Sequence, residues 1–271
     1  MTAVSTRRSR LADFLLFGVA LFLCAGTLIA HVPRSPPELP SVHEAFDRQL
    51  QSIASVDTAT AYVRRANDGG GPTALTDAAD EFVRRRFVHG YSFFNPRQNW
   101  LAYLAGFVWL DLRSPVRPDD ILQHRRAACS QQVMVFDAIA RRLGLETAVV
   151  RFDGHMTAAV KVGGEWRVYD ADREIEPRSY PLARLLAGDP AVLAIYRNAP
   201  GLIDLPGQVA HGRVRMTDVN GNPARHASIF HEVTEALSNY GWAVFLALAA
   251  ARLAYRRRSS AKRTAQAQLA S

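Results

Sequence analysis

Cysteine is nearly absent from this chain: 271 residues hold two, Cys24 and Cys129. Cys24 lies inside an apolar run and Cys129 in "RRAACSQQ" (residues 125–132), so neither has a partner to bridge to and a disulfide scaffold is excluded. The Gly-rich stretch "NDGGGP" (67–72) lacks the Lys-Ser/Thr that completes a phosphate loop, and it reads as a turn. His211, His226 and His231 show no metal-ligand spacing, so neither a metal nor a cofactor is expected. No internal repeat is visible. Acid is scarce at the two ends, where Asp13 is the only carboxylate before Pro33 or after Glu235.

Those ends are otherwise basic and apolar. "FLLFGVALFLCAGTLIA" (Phe14–Ala30) has 17 uncharged residues, and with its flanks it approaches the roughly 20 needed to span a bilayer. It reads as a retained anchor. A cleaved leader wants a small residue where Leu28 stands, and a lipoprotein reading of Cys24 is opposed by Leu23. A weaker second span covers 236–255, with Arg252 near enough to its end to snorkel. Nine basic residues and one acid lie in the ends, which therefore carry the whole formal charge of +8, and the stretch from Pro33 to Glu235 is neutral. The basic balance is an orientation signal for a membrane and gives no argument for nucleic acid. Positive residues stay cytoplasmic. Both termini are expected inside, with the body in the periplasm or its extracytoplasmic equivalent. A lone thiol there is either inert and buried or present to react.

Along the body, "HVPRSPPELPS" (31–41) reads as a stiff linker. Helices are expected over 42–55, over 76–87 with Thr76 as cap, and from Pro118. The aromatic-rich stretch 89–109 could line a cleft, but it is expected mainly to pack inside. Cys129, Val133, Phe136, Ala140 and Leu143 fall at helical spacing, and Gly144 ends the run. Strands follow at 145–152, 155–162 and 165–170, the last two joined by Gly163-Gly164, a two-residue hairpin signal. Short helices are expected over 181–187 and 191–198, and residues 200–227 read as loop.

A cysteine at a helix N-terminus meets the positive end of the backbone dipole, which favours thiolate, and Arg125 and Arg126 precede it. Such a nucleophile needs a base and a group to orient that base. The Gly-Gly turn sets a register in which Lys161 faces Trp166, Ala159 faces Val168, Thr157 faces Asp170 and His155 faces Asp172. His155, Asp170 and Asp172 then share one face, with Asp170 diagonal to His155 and within reach. A slip of one residue would undo the arrangement. A helix led by Cys129 and packed on that face would complete a Cys-His-Asp set. Singly, a helix-start Cys, a strand-start His and a turn-closing Asp each have a structural use. Their order in the chain is what points to chemistry.

The stretch from "ILQHRRAACSQQ" to "WRVYDAD" resembles the core of the transglutaminase-like superfamily, which shares the papain-like order of catalytic elements. The resemblance rests on Cys129 opening a helix that ends in "LGL" (143–145), on His155 opening a strand, and on Trp166 four residues before Asp170. It implies an α+β fold, a nucleophile-bearing helix on an antiparallel sheet, flanked here by two transmembrane helices. It also implies Cys129 as nucleophile, His155 as base and Asp170 rather than Asp172 as orienter. Gln123, six residues before Cys129, matches the offset of the oxyanion-stabilising Gln of papain-like proteases, and Asp172 is a further support candidate. Met156-Thr157 replaces the usual aromatic after the His, and no acid-rich metal loop is present. Neither calcium dependence nor protein crosslinking is therefore expected.

The expected organisation is a basic tail (1–10), a membrane helix (11–32), a linker with a first helix (33–57), the catalytic domain (58–200), a loop-rich extension (201–235), a second membrane helix (236–255) and a basic tail (256–271). The expected activity is a peptidase- or amidase-type thiol hydrolase, or an acyltransferase, acting on a peptide or protein amide outside the cytoplasmic membrane. The alternative is a non-catalytic periplasmic scaffold of an envelope or exopolysaccharide assembly complex, with membrane partners.

Overall fold

The computed structural model describes residues 2–32, 46–173, 175–196 and 204–269. In chain order the helices begin with α1 (Thr2–Ala30), α2 (Val56–Ala66) and α3 (Pro72–Arg86), followed by the short strand β1 (Val88–His89). Then come α4 (Pro96–Ala105), α5 (Pro118–Leu122), β2 (Arg126–Ala127) and α6 (Cys129–Arg142). Strands β3 (Thr147–Phe152), β4 (His155–Val162), β5 (Glu165–Tyr169) and β6 (Ser179–Pro181) follow. The chain continues through α7 (Leu182–Leu186), α8 (Pro190–Ile195), α9 (Leu205–Ala210) and β7 (Arg215–Met216) to α10 (Arg225–Ala236) and α11 (Trp242–Leu269). Two compact units result: residues 38–93 with 114–228, and residues 1–37, 94–113 and 229–271.

The first unit is α+β. Its main sheet has five strands in the order β6-β5-β4-β3-β7, antiparallel throughout. Gly163 and Gly164 take φ of +61° and +85°, the doubly left-handed turn that matches strand twist. Val162 therefore pairs with Glu165, Lys161 with Trp166 and Ala159 with Val168, the register expected from the turn. Alternation along the strands gives each face its own core. Val149, Ala158, Val160 and Tyr169 meet Val133, Phe136 and Ile139 of α6 and Phe82 of α3 on one face. Val150, Phe152, Ala159 and Val168 meet Tyr180, Leu185, Val192 and Tyr196 on the other.

Helix α6 stops where the sequence asks it to. Gly144 adopts φ of +90°, and the Leu145 N–H reaches back to the Ala140 carbonyl at 3.1 Å, a Schellman-type ending. The short link to β3 makes helix and strand antiparallel. Fourteen residues at 1.5 Å and six at about 3.3 Å give both a length of roughly 20 Å. The start of α6 consequently lies over the end of β3 and the beginning of β4.

Several expectations shift. Residues 42–45 lie outside the described set, and the expected first helix is reduced to one 3-10 turn, Arg48–Ser52. Helix α2, capped by Ser55, replaces it as the long element. Helix α3 starts at Pro72, not Thr76, because proline fits a first helical position and has no N–H to satisfy. Thr76 is buried inside the helix and donates to the Pro72 carbonyl at 2.7 Å. The stretch read as loop contains α9 and β7, too short for any periodicity to mark them.

In the second unit α1 lies along α11. Gly26 leaves room for the Trp100 ring, and a Cβ there would stand 2.6 Å from it. Between α10 and α11 a π-helical turn (Leu237–Gly241) frees the Ser238 carbonyl, which accepts from Thr27 Oγ1 at 2.6 Å and Trp100 Nε1 at 3.2 Å. Leu11–Ala30 and Arg225–Lys262 are long and apolar enough to cross a membrane, by length and composition. The stretch 94–113 belongs with these helices. Phe107, Val108 and Trp109 are exposed there, contrary to the interior role expected of them, and so is Leu110.

Candidate active site

The site forms where α6 begins. Ala128 has no capping side chain, so Gln131 supplies one: its Oε1 accepts from the Ala128 N–H at 3.2 Å and from the Ser92 N–H at 3.0 Å. Its amide Nε2 donates to Ser114 Oγ at 3.1 Å and the Pro115 carbonyl at 3.0 Å. Gln131 is 1 % exposed and ties the loop at Ser92 to the turn that carries Cys129. Gln132, also buried, donates to the Ala127 carbonyl and to Asp172 Oδ1, both at 3.1 Å. Neither glutamine carries an apolar signal, so sequence periodicity gives no warning that both face inward.

His155 opens β4, and its Nε2 meets Asp170 Oδ2 at 2.7 Å with both side chains essentially inaccessible. Asp170 Oδ1 accepts from the Arg173 N–H at 3.2 Å. The His155 ring lies 6.0 Å from the Phe152 ring and 6.4 Å from Tyr196, whose hydroxyl shares a 2.7 Å hydrogen bond with Tyr180. Burial and the charge of Asp170 push the Tyr196 hydroxyl well above its ordinary range, so it remains a neutral donor beside that carboxylate. The other ring nitrogen, Nδ1, makes no hydrogen bond within normal limits among the described residues. Cys129 Sγ, His155 and a carboxylate oxygen of Asp172 all lie within 4.8 Å of one another.

Burial opposes a charged ring at His155. The Asp170 carboxylate, by charge and hydrogen bond, and then Cys129 outweigh it and push His155 up to about 10. The Asp170 carboxylate thus favours the protonated ring over the neutral one.

Both aspartates reach the site, from different sides. Asp170 holds His155. Asp172 stands toward α6, where Oδ1 accepts from Gln132 and meets His89 Nδ1 at 2.5 Å, and Oδ2 lies 3.6 Å from Arg173 Nε. The expected packing of α6 on the face of His155 and Asp170 is not what forms: α6 covers the Val149 and Ala158 face. Cys129 meets His155 because helix start and strand start coincide at the sheet's end. Gln123 is not brought to Cys129, since its Nε2 donates to the Ala54 carbonyl at 2.9 Å. Arg125 stacks over Phe46, its guanidinium carbon 4.5 Å from the ring centre, and Arg126 reaches toward the His89 carbonyl at 3.4 Å.

A cleft of about 600 Å³ opens beside Cys129 and His155, lined by Tyr91, Ser130, Arg151, Met156, Arg213, Arg215 and the Asp153-Gly154 turn. His89 and Tyr91 open the aromatic-rich stretch that could line a cleft, whereas Arg215 has no sequence signal that would select it. Arg151 has one, as a lone charge in the apolar strand "TAVVRF". Cys129, His155 and Asp172 also have the donor types of a zinc site, and the carboxylate on the far side of His155 is a common second partner of a metal-bound histidine.

No protein-family model matches the chain, and no curated protein matches it.

Proposed function

We propose that this chain is a membrane-anchored thiol enzyme that cleaves or transfers an amide through Cys129, His155 and Asp170. The observation that carries the reading is the His155–Asp170 pair, which is inaccessible, bonded at 2.7 Å, and lies within 4.8 Å of the Cys129 sulfur through a ring nitrogen of His155. The order Cys, His, Trp, Asp, similar to the transglutaminase-like superfamily, supports it.

With the proton on His155, the sulfur attacks as thiolate and bonds to the carbonyl carbon. The N–H groups of the first helical turn have no intrahelical partner, and the Cys129 N–H is suited to the tetrahedral oxyanion. Collapse breaks the carbon–nitrogen bond, and the leaving amine takes the His155 proton. Water then attacks the thioester and gives its proton to His155. Release of the acid returns thiolate and imidazolium, and an amine in place of water completes a transfer. Asp170 orients the ring and stabilises its charge. Asp172, held by Gln132 and His89, supports the cysteine side.

The two apolar helices support anchoring, and the basic ends support an outward-facing body. The exposed Phe107–Leu110 run in the same unit has the composition of a membrane-interface contact.

The test is alkylation of Cys129 by iodoacetamide, followed by peptide mass in the full-length protein in detergent at neutral pH. Rapid labelling, slowed at least about tenfold by His155→Ala, is expected. Slow labelling that His155→Ala leaves unchanged would instead leave the chain a non-catalytic module. The donor set carries a second reading, a zinc site at Cys129, His155 and Asp172. It requires stoichiometric metal in the purified protein and loss of activity on chelation, while the thiol reading requires chelation to leave Cys129 labelling intact.

A further inference from the structure

The cleft beside Cys129 has a charge problem that the proposed chemistry does not use. Arg151 on β3 and Arg215 on β7 are directly opposed partners in the sheet. Like charges at such a position repel and weaken the pairing. Both side chains are exposed, both line the cleft, and no acid among the described residues pairs with either. The third arginine there, Arg213, is already answered by Asp153 at 3.1 Å, the only acid in the lining among the described residues. Two uncompensated guanidiniums therefore stand on the sheet face just beyond the start of α6. The same face under α6 is filled with Val149, Ala158 and Val160.

We infer that Arg151 and Arg215 form an anion subsite and that the substrate carries a carboxylate close to the amide that Cys129 attacks. The inference rests on the thiol-enzyme reading above and adds the substrate class to it. A guanidinium offers a planar fork of donors matched to a carboxylate, and two of them bracket one such group from adjacent strands. A chain joined by amides carries its anions chiefly as carboxylates, in acidic side chains or at a terminus. That chemistry selects a carboxylate over a free phosphate. Bound there, the anion relieves the repulsion between β3 and β7, so occupancy and closure of that sheet edge reinforce each other.

The test compares two alkylating agents of nearly equal size, the neutral iodoacetamide and the anionic iodoacetate. Each is reacted with the full-length protein in detergent at low salt, and the second-order rate at Cys129 is read by peptide mass. The ratio of iodoacetate to iodoacetamide rates is expected to fall at least tenfold in the Arg151→Gln/Arg215→Gln variant. The Arg151→Lys/Arg215→Lys variant, which keeps the charge, should retain most of the ratio. Removing opposed like charges is expected to leave the thermal midpoint unchanged or higher, so misfolding is not the anticipated cause of a change. In wild-type protein the ratio should also fall as salt shortens the screening length from about 10 Å at 0.1 M to about 3 Å at 1 M. An unchanged ratio in the Gln variant overturns the subsite and leaves the thiol-enzyme reading standing. Failure of wild-type Cys129 to react rapidly with iodoacetamide overturns that reading instead.

Discussion

The charge on His155 depends on one buried carboxylate, and Asp170→Asn separates charge from shape. Asn keeps an oxygen near Nε2 and removes the negative charge that leads the upward push on the ring. The difference between 6.5 and about 10 corresponds to roughly 5 kcal/mol in favour of the charged ring, the net of Asp170 and Cys129 against burial. Folding inherits this preference. A histidine whose pKa is higher folded than unfolded contributes its full stabilisation below about pH 6.5. It loses that contribution as pH rises toward about 10. One extra proton on the folded state gives a slope of roughly −1.4 kcal/mol per pH unit in that window. Asp80, which burial pushes up to about 7, and His124, which burial pulls down to about 4, act mostly below pH 7. A cysteine in the unfolded chain holds its proton up to about pH 8.5, so the measurement is made in a Cys129→Ala background, where the interval from pH 7.5 to 9.5 isolates His155. Thermal midpoints of the detergent-solubilised Cys129→Ala protein across that interval should fall steeply, and much less when Asp170→Asn is added. Parallel curves for the two proteins would refute the assignment of the imidazolium to Asp170.

Other consequences follow from the same packing. Phe136→Ala removes a ring that is 2 % exposed and stacked on Tyr169 at 5.7 Å, and should cost about 3–5 kcal/mol in denaturant unfolding. Arg86→Met leaves the carbonyls of Ile53, Leu122 and His124 without the buried guanidinium they share, a loss on the order of 3–5 kcal/mol by the same measurement. Gln131→Leu should slow iodoacetamide labelling of Cys129 several-fold, because it releases the loop at Ser92 from the first turn of α6. In a variant that keeps Trp109 and replaces Trp100, Trp166 and Trp242 by Phe, the emission should be quenched by brominated lipid when the protein is reconstituted. An emission no different from that in unbrominated vesicles would remove Phe107–Leu110 from the membrane interface.

The sequence carried the centre of this molecule well and its edges poorly, for physical reasons. A Gly-Gly pair permits few backbone conformations, so the β4–β5 register and the diagonal contact between His155 and Asp170 could be derived before any coordinates. Helix α6 was equally legible, since Val133, Phe136 and Ala140 mark its buried stripe and Gly144 its end. The face on which α6 packs was not, because hairpin register says which residues share a face and nothing about which face receives a helix. Asp172 and Asp170 could not be distinguished by geometry alone, and each took a separate partner, His89 and His155. Gln131 and Gln132 illustrate a second blind spot: polar side chains buried to cap and brace a turn look like surface in any hydrophobicity pattern. Arg215 lies on a two-residue strand, too short for alternation to reveal.

The central claim is that Cys129 forms an acyl intermediate with help from His155, and trapping that intermediate tests it most directly. Full-length protein mixed with p-nitrophenyl acetate at neutral pH and quenched in acid should carry one acetyl group, mapped by peptide mass to Cys129. The acetyl group should form markedly more slowly in His155→Ala and be absent from Cys129→Ala. Equal acetylation of wild type and His155→Ala, or acetylation elsewhere with Cys129 unmodified, would contradict the account.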